Sequence, residues 1–179
     1  MKKLCVFCGS ASGNSPAYLT MAHELGAEMA KRQIALVYGG ATIGVMGTLA
    51  DSVLSHGGTV IGVIPKTLVD YEIAHTKLTE MYIVEGMHER KKLMYDKSDA
   101  FLSLPGGMGT LDEMFEILTW SQLKLHNKSC YLYNFQNYYD SLLDYLRHAN
   151  REGFVKHEHL AMLKEIKDST QLKAMLQSL

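Results

Sequence analysis

The stretch Asp99-Ala100-Phe101-Leu102-Ser103-Leu104-Pro105-Gly106-Gly107-Met108-Gly109-Thr110-Leu111-Asp112-Glu113 passes from a strand, through a glycine turn, into a helix. Asp99 to Leu104 reads as a short buried strand, and Leu111, Met114, Phe115 and Leu118 recur at helical spacing behind the glycines. At such a junction the first N–H groups of the helix have no partner within it. The helix dipole then favours an anion in front of them by about 0.3–2 kcal/mol. Glycines at 106, 107 and 109 let the backbone approach a phosphate with no side chain intervening. Glu113 stands one helical turn further on, and a carboxylate beside an anion cradle points to chemistry on a phosphorylated small molecule.

The same alternation runs along the chain in both directions. Strands are expected over Leu4 to Cys8, Ile34 to Tyr38, Thr59 to Ile64, Met81 to Val84, Ala100 to Leu104 and Ser129 to Tyr133. Helices are expected over Pro16 to Arg32, Val45 to Ser55, Met87 to Lys97, Thr110 to Leu123, Tyr138 to Glu152 and Gln171 to Gln177. This order predicts an α/β fold: a doubly wound, mostly parallel sheet with helices on both faces. Ligands of such sheets bind beyond the carboxyl ends of the strands, at a topological switch point. Gly9 follows the first strand, Gly39 and Gly40 the second, and Gly106 and Gly107 a later one, so three glycine turns share one rim. Lys66 to Thr79 is the one long irregular connection, a candidate binding loop.

The chain has 179 residues, 47% of them hydrophobic, which suits a single domain with a sizeable core. A formal net charge of -1 excludes the basic field that non-specific nucleic-acid binding needs. No apolar run reaches the roughly 18 residues of a membrane span, and the start is too short an apolar run for a secretory signal, so a cytoplasmic protein is expected. Cys5 and Cys8 have the spacing of redox and zinc motifs. Both fall inside a strand with no second cysteine pair, and they are read as buried thiols. His88, and the pair His157 and His159, lack ligand spacing; no metal is expected.

Gly39-Gly40-Ala41-Thr42-Ile43-Gly44-Val45-Met46-Gly47 follows a strand and opens a helix, but it matches neither the dinucleotide fingerprint nor the P-loop. Gly44 and Gly47 can equally serve close packing. On the wheel of the later helix, Leu111, Met114, Phe115 and Leu118 form the core stripe, while Glu113 falls opposite with Ile117 and Trp120. That arrangement predicts that a second subunit covers Ile117 and Trp120 and walls in Glu113. In Met87-His88-Glu89-Arg90-Lys91, Arg90 lies between Met87 and Met94 on the apolar side. It therefore needs an anionic partner, either a carboxylate such as Glu113 or a substrate phosphate, and Lys91 beside it is a candidate second phosphate ligand.

The segments Pro105-Gly106-Gly107-Met108-Gly109-Thr110-Leu111-Asp112-Glu113 and Met87-His88-Glu89-Arg90-Lys91 resemble the two signature motifs of the Lonely Guy family, the cytokinin-activating phosphoribohydrolases. Val6-Phe7-Cys8-Gly9-Ser10, Tyr38-Gly39-Gly40, Ile61-Gly62-Val63-Ile64-Pro65 and Leu118-Thr119-Trp120 add to the likeness, which covers roughly Lys3 to Phe154. The resemblance implies a Rossmann-like fold, a homodimer or higher homo-oligomer with sites near its interface, and hydrolysis of nucleoside 5'-monophosphates to a free base and ribose 5-phosphate. It implies no cofactor. Arg90 and Glu113 would be the essential pair and Gly107 to Thr110, with Met108 and Gly109 between them, the phosphate cradle. Glu72, Lys91 and Thr119 would be further substrate contacts, and Gly9, Ser10, Gly39, Gly40 and Gly106 would complete the rim.

Cleavage of a ribosyl C–N bond builds positive charge at the anomeric carbon. A carboxylate near a helix N-terminus and close to an arginine stays ionised, so Glu113 is expected to stabilise that charge or orient a water. Two alternatives keep the same glycine turns: a nucleotide-binding carrier without turnover, and a pyridoxal-phosphate decarboxylase, which would need a Schiff-base lysine.

Overall fold

A computed structural model describes residues 1–69 and 74–179. Among them, seven strands form one sheet: β1 (Lys3–Phe7), β2 (Ala35–Tyr38), β3 (Val60–Pro65), β4 (Glu80–Val84), β5 (Ala100–Ser103), β6 (Cys130–Tyr133) and β7 (Leu163–Ile166). The helices are α1 (Ala17–Lys31), α2 (Gly44–Ser55), α3 (Met87–Asp96), α4 (Met108–Gln122), α5 (Asp140–Arg151), the single turn α6 (His157–Leu160) and α7 (Ser169–Ser178). The strand order is β4-β3-β2-β1-β5-β6-β7, and every neighbouring pair is parallel. The order reverses between β1 and β5, which is the switch point where such sheets open a crevice.

Strand periodicity sorts the core into two faces. Leu4, Val6, Leu36, Tyr38 and Leu102 pack with Met21, Leu25, Leu49 and Val53 of α1 and α2 and with Leu172 and Met175 of α7. Cys5, Phe7, Val37, Ile61 and Phe101 pack on the other face with Met94 of α3 and Ile117 of α4. Met114 joins Leu132, Tyr139 and Leu143 in a cluster between α4, β6 and α5. Cys5 and Cys8, three residues apart, consequently bury on opposite faces, and both thiols are free.

Ile117 is only 3% exposed, and Trp120 stands edge-on to Tyr95 with ring centroids 5.3 Å apart. This corrects the wheel: Ile117 is covered by the chain's own sheet, and Trp120 is half-buried against Tyr95 of α3, so neither depends on a second subunit for its packing. The apolar arc of α4 is wider than one stripe, because the helix contacts two clusters at once. β7 was not expected; as an edge strand reading Leu-Lys-Glu-Ile it carries little apolar signal. His157 and His159 lie in the one-turn α6 rather than in an open loop. Among the described residues, no helix is long and apolar enough to cross a membrane.

Candidate active site

A cavity of about 490 Å³ opens at the switch point. Its walls are the chain leaving β1 (Cys8 to Gly13), the start of α2, Arg90 and Met87 of α3, and the turn from Pro105 into α4 with Asp112 and Glu113. The turn after β5 and the helix behind it thus meet the loop after β1, as the parallel order requires.

The start of α4 is open to this cavity. Leu111 N–H makes the first intrahelical bond, 3.1 Å to Gly107 O, so the amides of Met108, Gly109 and Thr110 precede the ladder. No side chain caps the helix at Gly107. A Cβ at Gly107 or Gly109 would meet nothing within 4 Å, so these glycines leave room in front of the amides. Gly106 differs, since a Cβ there would collide with the Thr110 hydroxyl and come within 2.9 Å of Gly9 N. Its role is to let the turn press onto β1's loop.

α2 looks similar in sequence and is built differently. Its first amides are taken: Met46 N–H donates to Gly9 O at 3.2 Å and Val45 N–H to Ala11 O at 3.4 Å. Gly44, with φ +62, sits where any side chain would strike the Ser10 carbonyl, and a Cβ at Gly47 would strike that of Thr42. The second glycine segment therefore packs α2 against the β1 loop and is not a second anion cradle.

Arg90 is 4% exposed, and its Nη2 donates to Gly39 O at 3.1 Å. A Cβ at Gly39 would overlap the guanidinium. Glu113 and Arg90 line the same cavity, and both act on the Cys8 thiol below it. Burial pushes that thiol up, the Glu113 carboxylate adds to the push, and the Arg90 cation opposes it. The opposite charges thus converge on one floor residue.

Ahead of β4 the chain at Ala74 and His75 is pinned to the turn after β2, next to the Gly39 carbonyl that Arg90 holds. Ala74 bridges Ala41 in antiparallel fashion, and His75 N–H donates to Gly40 O at 2.9 Å. His75 Nδ1 accepts from Lys77 N–H at 3.1 Å, which leaves the proton on Nε2 to face Asp51 Oδ1 at 3.0 Å. Leu68, which follows β3, reaches the cavity wall.

In sequence, 50% of positions over 155 residues are identical to a cytokinin riboside 5'-monophosphate phosphoribohydrolase of Rhodococcoides fascians, covering 86% of this chain and 78% of that one. Identity to the Arabidopsis thaliana phosphoribohydrolase LOG1 is 49% over 154 residues, 86% of this chain and 72% of that one. The chain belongs to the cytokinin riboside 5'-monophosphate phosphoribohydrolase family. The family model described as "Possible lysine decarboxylase" matches residues 46–176. A molybdenum cofactor carrier protein from Chlamydomonas reinhardtii shares the fold with a TM-score of 0.72, 19% identity, and coverage of 99% and 96% of the two chains.

Several residues that the family motifs single out stand away from the cavity wall. Lys91 Nζ is bound to Asp112 Oδ2 at 2.7 Å and lies 3.4 Å from Glu116 Oε2. Burial opposes its charge, yet the two carboxylates outweigh burial and hold its pKa above the ordinary value. Lys91 therefore ties α3 to α4 through Asp112 and Glu116. Gly39 and Gly40 offer their carbonyls to Arg90 and His75 and stay behind the wall. Thr119 is exposed, about 14 Å along α4 from Thr110. Glu72 lies outside the described residues. Conversely, the cavity includes Tyr18 and Tyr138, which sequence reading passes over. The only signal for Tyr138 is the turn-like Asn134 to Asn137 that precedes it.

Proposed function

We propose that the chain hydrolyses the N-glycosidic bond of nucleoside 5'-monophosphates, AMP and N6-modified adenine nucleotides, to a free base and ribose 5-phosphate. One observation carries the reading: the open N-terminus of α4, Glu113 and Arg90 line a single cavity at the switch point. Its volume lies in the range of small-ligand sites.

The 5'-phosphate is held by the amides from Gly107 to Thr110, in the space that Gly107 and Gly109 leave open, with Gly9 and Ser10 on the facing loop. Binding energy from that remote group orients the ribose over Glu113. As the C1'–N bond breaks, its electron pair leaves with the base, which takes up a proton. The Glu113 carboxylate stabilises the positive charge at C1' and orients the water, whose oxygen bonds to C1' as a proton is lost. Arg90, a buried cation beside the carboxylate, contacts the substrate anion or its hydroxyls and keeps Glu113 in place. Lys91 is engaged with two carboxylates, which speaks against a Schiff-base role for it. Substrate contact by Glu72 and Thr119 rests on the family resemblance alone.

A homodimer also follows from that resemblance. Leu123 and Leu125 past the end of α4 and Ile83 on the edge strand β4 are exposed apolar side chains that supply surface for it. Incubation with AMP and with N6-isopentenyladenosine 5'-monophosphate, assayed for free base and ribose 5-phosphate, tests the activity. Catalytic release of both products supports the hydrolase; tight nucleotide binding without release makes the chain a carrier.

A further inference from the structure

We propose that Tyr138 is a positioning residue that sets the phosphate cradle, a role that rests on the hydrolase reading above. Its hydroxyl donates to Gly106 O at 2.8 Å. The Gly106–Gly107 peptide is planar and trans, so its C=O and N–H point in opposite directions. Holding the carbonyl of Gly106 on Tyr138 therefore fixes the direction of the Gly107 N–H at the mouth of α4. One residue on, Tyr139 donates to Leu104 O at 2.7 Å, so consecutive tyrosines hold two carbonyls of the same turn.

The segment that delivers them is strained and braced. Gln136 and Asn137 both take left-handed backbone, φ 52 and 60, which asparagine tolerates and which glutamine holds only when its surroundings impose it. The brace is the buried Asn134: its Oδ1 accepts from Tyr139 N–H at 2.7 Å, and its Nδ2 donates to Asp140 and Glu165, each at 2.8 Å. Tyr138 itself is 44% exposed and contributes little to the core. Its ring meets that of Tyr18, another residue of the cavity wall, edge-on with centroids 6.0 Å apart. An exposed tyrosine aimed by a strained, braced turn at one carbonyl of the cradle is suited to ordering that cradle.

The test compares wild type with Tyr138→Phe, which keeps the ring and removes the tether. The KM for AMP and the dissociation constant for ribose 5-phosphate, measured by calorimetry, should both rise about fivefold, the worth of one hydrogen bond. The kcat should stay within twofold, and inhibition of AMP hydrolysis by adenosine, which has no phosphate, should be unchanged. Ribose 5-phosphate binding equal to wild type overturns the proposal, as does an equal loss of adenosine affinity, which marks a general structural role. Should Tyr138→Phe melt below the assay temperature, Tyr138→Leu is read by the same calorimetry in the cold. If wild type releases no base from AMP, the hydrolase reading fails, while the ribose 5-phosphate comparison still decides the tether.

Discussion

Two residues carry the proposed chemistry, and the residues touching them explain why they stand where they do. Glu113 is a cavity residue one turn into α4, close enough to Arg90 for both charges to bear on Cys8. Glu113→Gln keeps the shape, turns one acceptor oxygen into a donor and removes the charge, so adenine release from AMP should fall about 10³-fold while the circular dichroism of the folded protein is kept. Near-normal release removes Glu113 from the mechanism. Arg90 depends on an absence, since any side chain at Gly39 would occupy the place of its guanidinium. Gly39→Ala should displace Arg90 and lower kcat/KM about 10²-fold. Combined with Arg90→Ala it should add no further loss, because both changes act through one group. Additive losses would give Gly39 a role of its own. Arg90 was legible in sequence because an arginine on the apolar side of a helix demands an anion. The Gly39 contact was not, since it joins residues 51 positions apart.

At the scale of elements, α4 presents its N-terminus to the cavity because its middle is clamped on two sides. Ile117 packs into the sheet cluster and Met114 into the cluster with α5. Ile117→Ala should cost about 2–4 kcal/mol in urea unfolding and leave the concentration at which the proposed homodimer dissociates unchanged. A weakened dimer in this variant would show that this face closes a subunit interface, as the helical wheel alone suggests. The two glycine segments make the same point in another way. Both read as strand–glycine–helix, yet α2 gives its first amides to Gly9 and Ala11, whereas α4 leaves its own in front of an open space. Which helix end is free depends on where the β1 loop lies, and no local pattern contains that.

For the whole molecule, the parallel order β4-β3-β2-β1-β5-β6-β7 buries both faces of the central strands, and with them three thiols. Burial pushes the thiols of Cys5, Cys8 and Cys130 up, the last to about 12, against an ordinary value of 9.0. The fold therefore keeps protons that the unfolded chain loses. This stability is complete below about pH 9 and declines as the pH rises beyond it, by about 1.4 kcal/mol for each thiol at pH 10. The urea midpoint should drop between pH 8 and pH 10, and native thiols should stay silent to a thiol reagent at pH 8. An unchanged midpoint would mean that the thiols ionise inside the fold. Alternating apolar runs, glycines at strand ends and the motifs around Arg90 and Glu113 determined by themselves the α/β class, the rim that bears the site and the family, because each signal is local in the chain. Tertiary structure alone decided which glycine turn stays open, that Lys91 ties two helices, that β7 and Asn134 brace the loop of Tyr138, and what covers Ile117. Those outcomes arise from contacts between segments far apart in sequence, where steric fit and hydrogen-bond competition choose among groups that look alike one residue at a time.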